Sequence, residues 1–351
     1  MSAWRTLTRG AWHGVRAFLK LMLIVGPVYT LVQVLRYTPV LAAFAGFAAP
    51  AMKYFGLPGE AAIAFILGNF INLYAGLGAI TALKLPGPQL TVLSLMLLLS
   101  HSQLLETAVF FQIRAKWWLL WFIRLVVSLL AGWGLAALTL RGEAAAAGAE
   151  AAAKLAAMAH KTWPGVGPAA REWGLGLWDT GLKMLLVLVG IFIVLEVFKR
   201  YGLLAKILSG INRVTRFIGL SPEAGMPWLA GNVFGIVFGA GVITETVREG
   251  GLSPKQVTLV ATFLALCHGL FEDTAIFIVL GANLFWISVP RLVLAVIVTW
   301  VLSKVLKEKA RGEADVRGEM SDGRGQTTRS VAPRLGEGSP GRTNAEGKGR
   351  K

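Results

Sequence analysis

An internal repeat is the feature of this sequence that most constrains its fold. Residues 56–81 align without gaps on residues 219–244 at a shift of 163 positions, and after a four-residue insertion the match resumes at a shift of 167. Apolar matches would arise by chance in a chain that is 55% hydrophobic, so the polar matches are the informative ones. The matched polar pairs are Asn69 and Asn232, Thr81 and Thr244, His101 and His268, Thr107 and Thr274, Arg124 and Arg291, and the acids Glu106 and Asp273. We interpret them as an internal duplication.

The charge content indicates a membrane protein. Charged residues make up only 15% of the 351 residues, whereas soluble domains carry about 25%. The formal net charge of +16 does not indicate nucleic-acid binding, because the basic residues lie at the ends of apolar runs, as membrane anchors do. Cys267 is the only cysteine, which excludes a disulfide framework and a cysteine-based metal site. We therefore predict an all-α polytopic protein in a lipid bilayer, with no nucleic-acid partner.

Composition divides the chain into five predicted parts. They are a basic cytoplasmic N-terminus (1–17), a first repeat (18–140), a linker rich in Ala, Pro and Gly (141–177), a second repeat (178–304) and a disordered basic cytoplasmic tail (305–351). Each repeat holds about three apolar runs long enough to span a membrane. The first of these runs covers residues 18–35 in the first repeat and 180–198 in the second. Each also holds a glycine-rich segment, 60–83 or 222–247, for which we predict a re-entrant helical hairpin, because irregular backbone at membrane depth has to be buried in protein.

The distribution of basic residues predicts that the two repeats are inverted. The segment after the first span holds two basic residues in the first repeat, over 36–55, and five in the second, over 199–218. At the next boundary the first repeat has Arg114 and Lys116, whereas the second has no charged residue around Asn283. The excess of basic residues therefore moves from the second repeat to the first. Basic residues favour the cytoplasmic side, so the same element faces opposite sides in the two repeats. We expect both termini in the cytoplasm, in a plan that is typical of secondary transporters.

The two matched histidines stand in the middle of predicted spans. His101 interrupts the apolar run 89–112 and His268 interrupts the run 256–281. They are either packing residues bonded to backbone carbonyls or groups that line a central site, where an imidazole can bind and carry protons near neutral pH. Neither has a His or Cys partner four residues away, so we expect no metal ion. The sequence indicates no cofactor.

Acidic residues and threonines follow the histidines and the hairpins. Ionisable residues inside a membrane are costly, so they are functional candidates by default. The candidates for coupling a driving ion are Glu106, Thr107, Glu245, Glu272, Asp273 and Thr274. In an alternative, structural role, the acid after each histidine pairs with the arginine of its own repeat, Arg124 or Arg291, and the two roles can coexist. Glu245 has no acidic counterpart in the first repeat and is equally explained by contact with water beside Arg248.

The hairpins supply the remaining candidate residues. A Gly-Asn pair stands at 68–69 and again at 231–232, and because this pair is typical of turns, we place the hairpin tips there. A cap at such a tip and a contact to a ligand can come from the same residue, since half-helix ends present unpaired groups. The predicted substrate-binding residues are Asn69, Asn72, Thr81, His101, Asn232, Thr244 and His268.

Several of these motifs resemble a known family. They are Asn-Leu-Tyr-Ala-Gly at 72–76, Gly-Ala-Ile at 78–80, the run from His101 to Ala108, and their second copies. They resemble bacterial membrane proteins with two nucleoside-recognition (Gate) domains, over roughly 18–140 and 178–304. That domain is similar to parts of concentrative nucleoside transporters, ferrous iron transporters and spore maturation membrane proteins. The resemblance implies a bacterial inner-membrane protein whose hairpin tips and unwound helices form a substrate site.

Together these features predict a secondary transporter rather than an enzyme. The sequence contains no P-loop, nucleophile elbow or HExxH motif. The expected solute is small and polar, with a nucleoside as the candidate that the resemblance implies, and the driving ion is H⁺ or Na⁺. Two alternatives stay open. One is a non-transporting scaffold or sporulation-related assembly factor, and the other is a metal-ion permease in which His101 and His268 approach a shared ligand. Assembly into a homo-oligomer also stays open.

Overall fold

Helices form all the regular structure of the described residues. The computed structural model of the chain describes residues 3–140, 163–201 and 215–307, and every regular element in these ranges is helical. The predicted all-α class is confirmed. The first part of the predicted linker, part of the segment that joins α8 to the second hairpin, and the tail from 308 onward lie outside the described residues.

The two halves contain similar series of helices. The first half contains α1 (Ala3–Leu35), α2 (Pro39–Lys53), α3 (Ala61–Phe70), α4 (Leu73–Leu83), α5 (Gly87–Ser100), α6 (Gln103–Gln112) and α7 (Trp117–Thr139). The second half contains α8 (Val166–Arg200), α9 (Gly225–Phe234), α10 (Ile236–Arg248), α11 (Pro254–Leu266), α12 (Glu272–Val279) and α13 (Leu284–Val305). A short 3₁₀ turn, Pro222–Ala224, leads into α9.

Five helical stretches of the described chain are long and apolar enough to cross a membrane. They are Trp4–Leu35, Gly87–Gln112, Trp117–Thr139, Val166–Val194 and Leu284–Val305. In the second of them 78% of the apolar window is buried inside the protein, against 33% or less in the other four. The α5–α6 stretch is therefore the centre of the bundle, and the other four expose broad apolar faces, as lipid contact requires.

The central position of α5 brings the two halves together. This helix contacts α3, α4 and α7 of its own half and α11, α12 and α13 of the other half. A hydrogen bond from the backbone N–H of Asn283 to Oγ1 of Thr91, 3.0 Å long, also joins the halves. Residues far apart in the sequence therefore meet around α5.

The first helix of each half is longer than the sequence predicted. Helix α1 begins at Ala3, within the segment predicted as a surface N-terminus, and α8 begins at Val166, within the predicted linker. The two helices pack closely because Gly10 and Gly14 face α8: a Cβ added to either glycine would lie 2.7 Å or 2.5 Å from a Cα atom of that helix. Small residues four positions apart allow such close contact between membrane helices. This contact supports helical structure in α1 beyond its predicted span.

Two pairs of short helices, α3–α4 and α9–α10, form the hairpins, and each pair packs through crossing glycines. A Cβ added to Gly76 would lie 2.9 Å from the Cα of Gly68. In the second pair a Cβ added to Gly239 would lie 2.7 Å from the Cα of Gly231. A side chain at Gly76 or Gly239 would push the helices of its hairpin apart, so these two glycines set the spacing of the hairpins.

The tips of both hairpins lie three residues later than predicted. Asn69 and Asn232 lie inside α3 and α9, where each side-chain amide donates to the carbonyl four residues earlier. The first turn is at Asn72, which caps α4 by accepting a hydrogen bond of 2.9 Å from the N–H of Ala75. The second turn is at Gly235, in a conformation with φ +86°. The predicted tip was wrong because an asparagine can bond within a helix as well as cap one.

Equivalent positions of the two halves share unusual backbone. Three pairs have positive φ, namely Gly56 (62°) and Gly219 (86°), Ser102 (54°) and Gly269 (54°), and Arg114 (56°) and Gly281 (104°). Positive φ is uncommon outside glycine, so its recurrence at aligned positions supports the duplication. The opposite orientation of the repeats across the membrane stays a prediction.

We expect the crossing glycines to tolerate no side chain. Gly76→Ala and Gly239→Ala should each lower the free energy of unfolding by about 1–3 kcal/mol, because the added methyl group meets backbone that cannot rotate away. Thermal or denaturant unfolding of purified protein in detergent measures this.

The matched control is Gly134→Ala in α7, where a Cβ would meet nothing within 4 Å. This variant should be neutral or more stable, because Ala favours helix over Gly by about 1 kcal/mol. Equal stability of all three variants would contradict the packing described for the hairpins.

Candidate functional site

The centre of the protein is an interruption of the α5–α6 stretch. Helix α5 ends at Ser100, and Ser102 takes a left-handed conformation before α6 begins. The N–H of Ser102 donates to the carbonyl of Gly68 over 2.8 Å, and its Oγ accepts from the N–H of Leu73 over 3.3 Å. The first hairpin is therefore bonded to the break, because the freed backbone groups need partners inside a membrane.

The second half has the corresponding break between α11 and α12. Cys267 ends α11, and Gly269 takes the same left-handed conformation as Ser102. Helix α12 resumes at Glu272. The predicted interruptions of both spans thus occur at the predicted histidines.

The two histidines meet between these breaks. The ring centroids of His101 and His268 are 5.1 Å apart and the rings are tilted by 46°. In each ring Nδ1 lies within hydrogen-bond distance of the carbonyl four residues earlier, 2.9 Å from that of Leu97 and 2.7 Å from that of Leu264. Both side chains are buried, and both line the same cavity. Bonding to carbonyls and lining a site, which the sequence left as alternatives, occur together.

Two carboxyl groups face the free nitrogens of these rings. Oε1 of Glu106 lies 3.4 Å from Nε2 of His101 and 3.6 Å from Nε2 of His268. Oδ2 of Asp273 lies 4.0 Å from Nε2 of His101. Glu106 therefore bridges the histidines of both halves. The result is one cluster shared by the halves rather than a separate pair in each.

Two arginines with no exposed surface lie behind the cluster. In the first half Nη2 of Arg124 is 3.1 Å from Oε2 of Glu106 and also donates to the carbonyl of His101. In the second half Arg291 donates to the carbonyls of Leu266 (3.0 Å) and His268 (2.6 Å). Among the described residues the expected acid–arginine ion pair occurs in the first half, whereas Arg291 and Asp273 do not come within 4.0 Å. The feature common to both halves is the arginine that binds the carbonyls of the broken helix.

A cavity of about 330 Å³ opens beside the cluster. This volume falls within the range of small-molecule sites. Both halves line it, through Ile24, Asn72, Leu73, Tyr74, His101, Ser102, Leu105, Glu106, Gly235, Ile236, His268, Gly269, Glu272 and Asp273. Both hairpin turns and both helix breaks therefore contribute to a single polar cavity.

Several predicted site residues lie outside this cavity. Thr81 and Thr244 bond to carbonyls of their own helices. The hydroxyls of Thr107 and Thr274 are buried and have no hydrogen-bond partner among the described residues. Glu245 is exposed and lies 3.6 Å from Arg248, in line with the alternative of water contact. Six of the predicted residues do line the cavity: Asn72, His101, Glu106, His268, Glu272 and Asp273.

Other cavity residues were not predicted as site residues. Tyr74 and Ser102 line the cavity, as do the glycines Gly235 and Gly269. Most of the predicted site residues were polar residues that match between the halves, whereas Ser102 and Gly235 differ from their counterparts. Asn72 aligns with Gly235, and Ser102 aligns with Gly269. The helix break itself was the available signal for Ser102, because it stands directly after His101.

The fold and its cavity define a multi-pass α-helical membrane protein. Residues 18–117 match the model of the Gate family, which is described as nucleoside recognition. The chain is 29% identical over 286 residues to the membrane protein YvoD of Bacillus subtilis (strain 168), which is named as uncharacterized, and the alignment covers 81% of this chain and 90% of YvoD. No solved structure matches the chain. The chain therefore carries a Gate domain in its first half, as predicted, and a second one stays a prediction.

We expect the buried arginine of the first half to be a major stabilising residue. Arg124→Met should lower the free energy of unfolding by about 3–5 kcal/mol, because Glu106 and the carbonyl of His101 would lose their partner in a low-dielectric interior. Denaturant unfolding in detergent measures the change.

The matched control is Arg248→Met, which removes an arginine from an exposed pair with Glu245. Exposed pairs contribute little, so this variant should unfold like the parent protein. A parent-like stability of Arg124→Met would show that the buried arginine does not support the break.

Proposed function

We propose that this protein is a secondary transporter of a small polar solute, and that the central cavity is the solute site. The observation that supports this most is the meeting of two hairpin turns and two broken helices, from both halves, around one polar cavity. Broken helices near the middle of a membrane are typical of transporter sites, because their ends offer unpaired backbone groups to a solute. In the proposed activity the solute is moved and not chemically converted.

A nucleoside is the first candidate for the solute. The family description, nucleoside recognition, points to this class. The cavity wall offers an amide from Asn72, hydroxyls from Tyr74 and Ser102 and a carboxyl group from Glu272. Such groups can bind the hydroxyl and amino groups of a nucleoside, and apolar residues such as Ile24 and Ile236 can contact its base.

The proposed transport cycle uses the two halves as alternating gates. Each hairpin contacts the cavity at its turn, so movement of one hairpin would open one side of the cavity while the other stays closed. The proposal includes inverted repeats and both termini in the cytoplasm, as the distribution of basic residues indicates. It also includes the inner membrane of a bacterium, as the family resemblance implies. The driving ion in this proposal is H⁺ or Na⁺, entering beside the buried acids Glu106 and Asp273, because ionisable groups at membrane depth are functional candidates.

Uptake into proteoliposomes tests this proposal. Purified protein should accumulate a radiolabelled nucleoside when a H⁺ or Na⁺ gradient is imposed, in buffer that contains a metal chelator. Glu272→Gln should lower the affinity for the solute by about 10-fold or more, because a hydrogen bond to a charged group contributes about 1.5–3 kcal/mol. Asn72→Ser should lower it by about 2- to 10-fold, because a hydrogen bond between neutral groups contributes about 0.5–1.5 kcal/mol. Serine also caps a helix, so Asn72→Ser keeps the turn.

Thr244→Val is the control for these variants. Thr244 bonds to the carbonyl of Ala240 and lies away from the cavity wall, so uptake should match the parent protein. If neither gradient drives uptake of any nucleoside or related polar solute by folded protein, the transport proposal is wrong and the scaffold alternative gains support.

A further inference from the structure

We propose that the cluster beside the cavity binds one divalent transition-metal ion, with His101, His268 and Asp273 as ligands and Glu106 as the fourth. The three first-named residues are buried and offer donor atoms that all lie within 4.8 Å of one another. They come from the two helix breaks, one in each half. The inference does not rest on the proposed transport, since a metal ion can bind here whether or not a solute moves.

The hydrogen bonds of the histidines determine which ring nitrogen faces the cluster. Nδ1 of each ring is bonded to a backbone carbonyl, and a carbonyl oxygen only accepts, so Nδ1 carries the proton. In the neutral ring Nε2 then presents a lone pair to the cluster. A carbonyl that fixes the tautomer in this way is the usual neighbour of a histidine that binds a metal ion.

The lone pairs of this cluster face one another. Nε2 of both histidines lies within 3.6 Å of Oε1 of Glu106, yet a neutral imidazole nitrogen and a carboxylate oxygen are both acceptors. Two acceptors at this distance repel unless a proton or a metal ion lies between them. A bound cation therefore removes a conflict that the fold itself creates.

The spacing of the donor atoms suits a tetrahedral ion. Zinc binds histidine nitrogen and carboxylate oxygen at about 2.0–2.2 Å, which places neighbouring ligand atoms roughly 3.3–3.6 Å apart in a tetrahedron. The separations from Nε2 of His101 are 3.4 Å to Glu106 and 4.0 Å to Asp273. The separation from Nε2 of His268 to Glu106 is 3.6 Å. The donor atoms of His101, His268 and Asp273 are therefore grouped closely enough for an ion such as Zn²⁺, which nitrogen and oxygen ligands suit. Glu106 is the proposed fourth ligand through its contacts with both histidines.

The charges around the cluster also favour a cation. Three carboxyl groups (Glu106, Asp273 and Glu272) and two guanidinium groups (Arg124 and Arg291) surround the cluster, so the formal charge is −1 when all five are ionised and the histidines are neutral. Both guanidinium groups bind backbone carbonyls, and Arg124 also contacts Oε2 of Glu106, which leaves Oε1 directed at the histidines. Arg124 therefore orients this acidic ligand from behind the cluster.

The sequence pointed to this site only through the metal-ion permease alternative, in which His101 and His268 approach a shared ligand. The absence of a second His or Cys four residues from either histidine argued against a metal ion. The ligands instead come from four positions in two separate segments, which only the packing of α5–α6 against α11–α12 brings together.

Zinc titration of purified, chelator-treated protein tests the proposal. Isothermal titration calorimetry should give one Zn²⁺ per chain. His101→Ala and His268→Gln should each weaken binding at least about 100-fold, more than the 10- to 100-fold loss seen when a residue that only orients a ligand is removed. Co²⁺ should give the strong visible absorption of a tetrahedral complex in the parent protein and lose it in both variants.

His13→Ala is the matched control, because His13 is exposed on α1 and remote from the cluster in the sequence. It should bind Zn²⁺ like the parent protein. Thermal unfolding in chelator identifies variants that are merely unfolded. Absence of stoichiometric binding, or binding that survives in folded His101→Ala and His268→Gln, overturns the proposal. Neither result bears on the uptake assay, which contains chelator.

Discussion

The structure depends on how broken helices are stabilised away from water. A break in a membrane helix frees carbonyl groups that cost several kcal/mol each when they stay unpaired in a bilayer. Arg124 and Arg291, both without exposed surface, donate to the carbonyls at the two breaks. A guanidinium group has five donors in a fixed plane, so it can bind the end of a helix and an acid at once. The breaks, and with them the cavity, depend on these two side chains.

The hairpins and the helix breaks together form the walls of the cavity. Crossing glycines, Gly68 with Gly76 and Gly231 with Gly239, bring the helices of each hairpin close enough to pack as a single thin unit. The backbone of Gly68 then reaches the break and accepts from the N–H of Ser102. Close packing of the hairpin and hydrogen bonding of the backbone at the break therefore depend on each other. A wider hairpin would leave the N–H of Ser102 without its partner.

The sequence predicted local features well and contacts between segments poorly. The helix breaks at His101 and His268 were predictable, because polar residues in an apolar run have to be satisfied within the protein. The hairpin tips were misplaced by three residues, since Asn69 and Asn72 are equally suited to a turn and only packing decides between them. The bridge from Glu106 to His268 was not predicted at all. Periodicity and repeats describe each half separately, whereas this bridge depends on how the halves pack.

The differences between the halves matter as much as the duplication. At the hairpin turns Asn72 faces the cavity from one half and Gly235 from the other, and at the breaks Ser102 is matched by Gly269. At these two positions the first half contributes polar side chains, while the second contributes glycine backbone with positive φ. Glycine loses more conformational freedom on ordering than any other residue. A solute in the proposed site would therefore meet polar side chains at the turn and the break of the first half, and the turn and the break of the second half would be the easier ones to rearrange around it.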